Sequence, residues 1–146
     1  MRVVAPGAGR ERVVLYLHGG AYQIGSPATL RHMIALISDA ASAHVLSVDY
    51  RLAPEHPFPA AVEDALAAYR WLLAGGTHPG TIALAGDSAS GSTRFAARAR
   101  DQGVEVTIEI WDEMPHVWHA FAALPPEADR AIERVGSWLA ERIPPP

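Results

Sequence analysis

Three short runs constrain this chain more than anything else in it: Val13-Val14-Leu15-Tyr16-Leu17, Val45-Leu46-Ser47-Val48 and Thr81-Ile82-Ala83-Leu84-Ala85. Apart from one serine they are apolar on both faces, not alternating. A strand of that kind needs cover on both sides of its sheet, the condition of a parallel sheet between helices. The intervening segments supply those helices. Ser26-Pro27 pairs a cap residue with a proline suited to a first turn, and Leu30, Met33, Ile34, Ile37 and Ala41 follow at helical spacing. A second helix is expected after Pro54, Pro57 and Pro59, with Val62, Ala65, Leu66, Tyr69, Leu72 and Leu73 as its stripe and Gly75-Gly76 at its end. A third runs from about Ser92 to Gln102 and shows only Phe95, Ala96 and Ala99 on its apolar side. Val104, Val106, Ile108 and Ile110 alternate with Glu105, Thr107 and Glu109, the pattern of a half-exposed edge strand. Ala128, Ala131, Ile132, Val135, Trp138, Leu139 and Arg142 mark a last helix. The order βαβαβαβα describes an α/β layered fold in a single domain, 1–146.

Composition narrows the classes of function. With 49% hydrophobic and 19% charged residues, the chain has the material for a core rather than for disorder. A formal net charge of −4 supplies no electrostatic footprint for nucleic acid. The apolar runs are too short for a membrane span, and Met1 to Arg12 contains no apolar core of a secretory signal. Cysteine is absent, which removes disulfides, thiolate metal sites and a cysteine nucleophile, and fits a cytoplasmic location.

Two of the three runs end in motifs that carry chemistry. Gly86-Asp87-Ser88-Ala89-Ser90 follows a buried strand and precedes a helix. That is the context of a nucleophile elbow, a tight strand-to-helix turn that lifts a serine hydroxyl clear of the sheet. Neighbouring backbone comes close there, so small residues are needed two before and two after the serine. The usual second glycine of G-x-S-x-G is Ser90 here. Taken alone, the pentapeptide also suits an ordinary strand-end turn. His18-Gly19-Gly20-Ala21-Tyr22 ends another strand, and consecutive glycines leave backbone N–H groups unobstructed, as an oxyanion hole requires. A plain turn also accepts Gly-Gly. The two motifs together, each at a strand's C-terminal end, are far more specific than either.

On these residues, with "LYLHGGAY", "VDYRLAPEHPFPAAVEDALAAYRWL" and "LAGDSAS", the chain resembles the hormone-sensitive-lipase family of α/β-hydrolase esterases, bacterial family IV. The segment "STRFAARARDQGVEVTIEIWDEMPHVWHAF" is similar to that family's C-terminal region. The resemblance implies carboxylic-ester hydrolysis by a Ser-Asp/Glu-His triad, with no cofactor or metal. By motif matching, Ser88 is the nucleophile and His116 the general base. Gly19, Gly20, Ala21 and Ala89 supply the oxyanion hole. Asp49 to Glu55 matches a segment read as structural. The implied partner is a small apolar carboxylic ester.

The departures from the family are as informative. Relatives begin with a cap, whereas residues 1–12 alone precede the first expected strand here. Relatives also place a longer helix, two strands and the triad acid between the elbow and the helix resembling Ser92 to Gln102. Ser88 and His116 are too close in sequence to hold that part, so a deletion junction is expected near 90–92. Triad order in this fold is Ser, acid, His. Between Ser88 and His116, Asp101 and Glu105 fall at the wrong end of the edge strand, and Glu109 faces solvent by alternation. Asp112 and Glu113 remain as substitute acids. Asp87 adjoins the nucleophile, and the turn that exposes Ser88 should aim it elsewhere. Loss of the orienting acid costs on the order of 10⁴ in kcat in a triad enzyme, so impaired activity is expected.

His116-x-x-His119 beside Glu113 falls short of the ligand set of a zinc site, with Pro115 against a regular helix. His18 is read as a loop-stabilising residue. Trp71, Trp111, Trp118 and Trp138 are read as mostly core, with Trp118 and Phe121 also placed to line an acyl pocket. The expected architecture is a reduced α/β-hydrolase, a three-layer sandwich on a short, mainly parallel sheet of about four strands. Its first three strands lie in the order second, first, third, and Val104 to Ile110 dock beside the third, bringing the His116 loop to Ser88. The rival to an impaired esterase is a non-catalytic remnant acting as a binding or assembly module, with copies associating through an exposed sheet edge.

Overall fold

The three apolar runs form the centre of one sheet. The structure is a computed structural model that describes residues 2–4, 12–87, 97, 100, 101, 107 and 126–143. Strand β2 (Val13–Leu17) lies between β3 (His44–Val48) and β4 (Ile82–Gly86) and is parallel to both, with Leu15 opposite Leu46 on one side and Leu84 on the other. Their order, second-first-third by chain position, is the one the α/β-hydrolase resemblance implies.

The fourth strand of the described sheet is not the expected one. Strand β1 (Arg2–Val4) pairs antiparallel with β3, so the sheet runs β1-β3-β2-β4. Three residues are too few to show a period, and the pairing with β3 decides them. Of the expected strand Val104 to Ile110, Thr107 is described. It sits in neither helix nor strand, and its hydroxyl accepts a hydrogen bond from the Trp138 indole N–H at 2.7 Å. The other residues of that segment and the proposed junction at 90–92 lie outside the described residues. Within the expected third helix, Ala97, Arg100 and Asp101 are helical.

One face of the sheet is covered by α1 (Arg31–Ala41) and α3 (Pro126–Arg142). Met33, Ile34 and Ile37 of α1 and Leu139 of α3 pack with Val14, Tyr16 and Val45 in one buried cluster. The other face carries α2 (Ala60–Ala74), whose Ala68 and Leu72 join Val13, Leu15, Leu46, Val48 and Tyr50. Each fully buried aliphatic side chain in these clusters contributes about 1.5–3 kcal/mol.

Both connecting helices depart from the expected pattern. Ser26 and Thr29 exchange side chain–backbone hydrogen bonds at 3.3 Å, which closes a turn, and α1 begins only at Arg31. In α2 the sheet takes the alanine side, burying Ala60, Ala68 and Leu72, while Val62 and Leu66 are exposed. Trp71, expected in the core, is 53% exposed. Alanines let the helix lie close to the strands, and the bulkier residues are rotated outward.

Candidate active site

The C-terminal ends of parallel strands are where an open α/β sheet gathers its reactive groups. Three segments meet there: the loop after β2, the loop after β3, and the end of β4. At the end of β4, a Cβ on Gly86 would come within 2.5 Å of the Leu17 carbonyl oxygen. A glycine at position 86 is therefore required by the approach of β4 to β2.

The β2 loop turns tightly at Gly20. Its φ of +118° is open to glycine, and a Cβ would collide with the Ile24 carbonyl oxygen. The Gly20 carbonyl accepts hydrogen bonds from the amides of Gln23 at 2.9 Å and Ile24 at 3.1 Å. Ala21 and Tyr22 follow with φ of 55° and 62°, a left-handed conformation that costs non-glycine residues about 1–2 kcal/mol each. The reversal leaves backbone donors unspent. Among the described residues, the amides of Gly20 and Ala21 have no hydrogen-bond partner. Tyr22 and Ile24 beside them are exposed.

Gly19 differs from its neighbours. Its amide donates to Asp87 Oδ1 at 2.7 Å and is thereby occupied. The Gly19 amide, expected to contribute a donor to an oxyanion hole, is directed at the Asp87 carboxylate in this structure. Among the described residues, the amides of this loop that have no hydrogen-bond partner include those of Gly20 and Ala21.

The loop is held from beneath by groups that pattern reading left unassigned. Asp87 is 8% exposed, and its Oδ1 also accepts a hydrogen bond from the Tyr16 hydroxyl at 2.7 Å. Burial, followed by the nearby Asp87 carboxyl, pushes the Tyr16 phenol far above its ordinary range, so it remains a donor. From the β3 loop, the Tyr50 hydroxyl donates to the His18 carbonyl, and the two rings stack with centroids 4.2 Å apart. Burial first, then the charges of Tyr22 and Asp87, pushes Tyr50 up to about 12. His18 Nδ1 lies 2.8 Å from the Gly19 carbonyl oxygen. A carbonyl can only accept, so Nδ1–H is the tautomer that makes this bond. His18 is thus spent on loop geometry, while its buried Nε2 has no partner among the described residues.

The segment Asp49 to Glu55 braces the same region, as its structural reading predicts. The Ala53 amide donates to the Tyr22 carbonyl at 2.8 Å. Arg51 anchors the segment to α2 through Asp64, with its amide at 2.8 Å from Oδ2 and its Nε at 3.0 Å from both carboxyl oxygens. That bonding holds the Asp64 carboxyl below the usual carboxylate range. The signal for the missed groups was present: Tyr16 is the only polar tip in its apolar run, and Asp87 is a charge at the end of a buried strand.

Gly19, Gly20 and Ala21 are thus gathered beside Asp87, the residue immediately before Ser88. Ser88, Ala89, His116, Asp112 and Glu113 lie outside the described residues, as do Trp118 and Phe121. No group of three or more His, Cys, Asp or Glu side chains suited to a metal ion occurs among the described residues. Nor, among them, is any helix long and apolar enough to cross a membrane.

Comparison with known proteins gives this geometry its context. A family model described as "alpha/beta hydrolase fold" matches residues 14–93. An acetyl-hydrolase of Streptomyces hygroscopicus is 53% identical over 118 residues, covering 76% of this chain and 40% of the relative. Esterase LipI of Mycobacterium tuberculosis is 48% identical, covering 94% of this chain and 48% of its own. The chain therefore spans less than half the length of these curated relatives. A crystal structure of an esterase from the bacterial hormone-sensitive lipase family superimposes with a TM-score of 0.83 at 32% identity, covering 95% of this chain and 79% of the other. The parallel β3-β2-β4 core, the glycine loop after β2 and these likenesses lead to one assignment: the chain belongs to the α/β-hydrolase family, in its hormone-sensitive-lipase-like branch.

Proposed function

We propose that this chain hydrolyses small, relatively apolar carboxylic esters by nucleophilic catalysis, at a reduced rate. Ser88 attacks the ester carbonyl, and His116 takes its proton and returns it to the leaving alcohol. The amides of Gly20 and Ala21, with that of Ala89, stabilise the oxyanion of the tetrahedral intermediate. Water then attacks the acyl-serine, with His116 acting again as base, and the carboxylic acid leaves. No cofactor or metal enters this scheme.

One observation carries the proposal: a tightly turned loop at the end of β2 whose Gly20 and Ala21 amides have no partner among the described residues, tied through Gly19 to the residue that precedes Ser88. Exposed Tyr22 and Ile24 beside those amides favour an apolar substrate. The curated relatives are named as an acetyl-hydrolase and an esterase, in line with the same chemistry. The reduced rate follows from the missing triad acid, with Asp112 or Glu113 as its substitute. In this scheme the chain is a single domain with an internal junction near residues 90–92.

The test is hydrolysis of a short-chain p-nitrophenyl ester by the wild-type chain and by Ser88→Ala. A wild-type rate well above that of Ser88→Ala is expected. Equal rates would overturn the enzymatic assignment in favour of a non-catalytic module. Asp112→Asn and Glu113→Gln in the same assay identify the substitute acid as the one whose loss lowers kcat.

A further inference from the structure

We infer that Asp87 is a positioning residue, which aligns the free amides of the β2 loop with the serine turn by holding Gly19 to the end of β4. This rests on the function proposed above and assigns Asp87 a part that the triad scheme does not contain.

The geometry is specific. Asp87 Oδ1 accepts two hydrogen bonds of 2.7 Å, one from the Gly19 amide and one from the Tyr16 hydroxyl. Its Oδ2 lies over the Gly19 Cα, where any Cβ would come within 2.5 Å of it. Glycine at position 19 is thereby explained by Asp87 rather than by a substrate. Tyr16 rises from β2, whose end carries the loop, and Asp87 follows β4 immediately before Ser88 in the chain. Among the described residues, the carboxyl group joins the two strand ends across their parallel pairing, next to Leu17 opposite Gly86.

Asp87 is unsuited to the role of triad acid. Its two partners among the described residues are Tyr16 and Gly19, and His18, the nearby imidazole, directs Nδ1 to the Gly19 carbonyl. It acts instead on distance. An oxyanion donor must sit about 2.7–3.1 Å from the developing charge, and a misplacement of about 1 Å can cost on the order of 100-fold in rate. Without Asp87, the chain beyond Leu17 loses the bond that sets Gly20 and Ala21 relative to residue 88.

Three variants test this. In Asp87→Asn the amide oxygen replaces Oδ1 as acceptor for both donors. In Asp87→Ala that acceptor is gone. In Tyr16→Phe one donor is lost and the Gly19 bond is kept. For p-nitrophenyl acetate, kcat should fall by roughly 100-fold in Asp87→Ala with KM little changed. It should stay within about threefold of wild type in Asp87→Asn, with Tyr16→Phe between the two. A merely structural role would instead lower the melting temperature and the active fraction while leaving the kcat of the folded fraction unchanged. Hydrogen exchange at the Gly19 amide provides a readout independent of activity. It should be protected in wild type and Asp87→Asn, and fast in Asp87→Ala.

The failures separate cleanly. Wild type indistinguishable from Ser88→Ala overturns the esterase proposal and, with it, any catalytic part for Asp87. Activity above Ser88→Ala with an unchanged kcat in Asp87→Ala overturns the positioning role alone. Gly19 exchange that is equally fast in wild type and Asp87→Ala overturns the clamp itself.

Discussion

The two faces of the sheet are covered unequally. On one, α1 and α3 close over Val14, Tyr16 and Val45, and Gly136 of α3 packs against the backbone of Ala40 so tightly that a Cβ would collide with its carbonyl. On the other, α2 covers Leu15 and Leu46, while Leu84 on the neighbouring strand is 52% exposed. The site takes a support from each. Tyr16, from the α1–α3 side, reaches Asp87, and Tyr50, from the α2 side, reaches His18. Filling the core and holding the loop are therefore separate tasks here. A face with incomplete cover still supplies a buried tyrosine where the loop needs one.

The largest effect should appear within the α2 face. Leu46→Ala removes a side chain that is 1% exposed and should cost about 2–5 kcal/mol in denaturant unfolding. Leu84→Ala, at a half-exposed position of the adjacent strand, should cost less than about 1 kcal/mol. Similar costs for the two would break the comparison. Next is the closed face: Gly136→Ala should cost about 1–3 kcal/mol by forcing α3 away from α1, visible as a fall in Tm of several degrees.

Smaller effects come from titration. The folded pKa of Tyr50 is raised to about 12, against about 10 when unfolded. A raised group contributes its stability in full below the unfolded pKa and loses it as pH rises through the folded value. Stability should therefore decline between pH of about 10 and about 12, and Tyr50→Phe should make that decline shallower in urea midpoints measured across the window. The smallest effect is at the acid end. The Asp64 carboxyl is held low by Arg51, so its contribution is present above the unfolded carboxylate pKa of about 4 and is lost as pH falls through the folded value. Asp64→Asn should flatten that acid limb and leave stability at higher pH less dependent on pH.

Much of the architecture was legible before any coordinates. Strands apolar on both sides, separated by helical spacings, predict a parallel sheet between helices because burial on two faces leaves few other solutions. Gly19-Gly20 marks the loop because few other residues turn a chain so tightly at a strand end. The helical stripes were less faithful. Val62, Leu66 and Trp71 satisfy apolar spacing as well as Ala68 and Leu72 do, and only the distance from α2 to the strands decides which are covered. Strand β1 was invisible because three residues carry no period.

The order of the central strands was expected only from the family resemblance, whereas the chain's own residues set the layered α/β class and the two motifs at its strand ends. These follow from local spacing and from which residues tolerate tight turns. Only the fold brings Gly19 to Asp87, sets Tyr16 and Tyr50 to support one loop from opposite faces, and leaves the Gly20 and Ala21 amides without a partner among the described residues. Hydrogen bonds that join residues 32 to 71 positions apart leave no periodic trace in a chain. They exist only because parallel pairing brings distant strand ends within a few ångströms of each other.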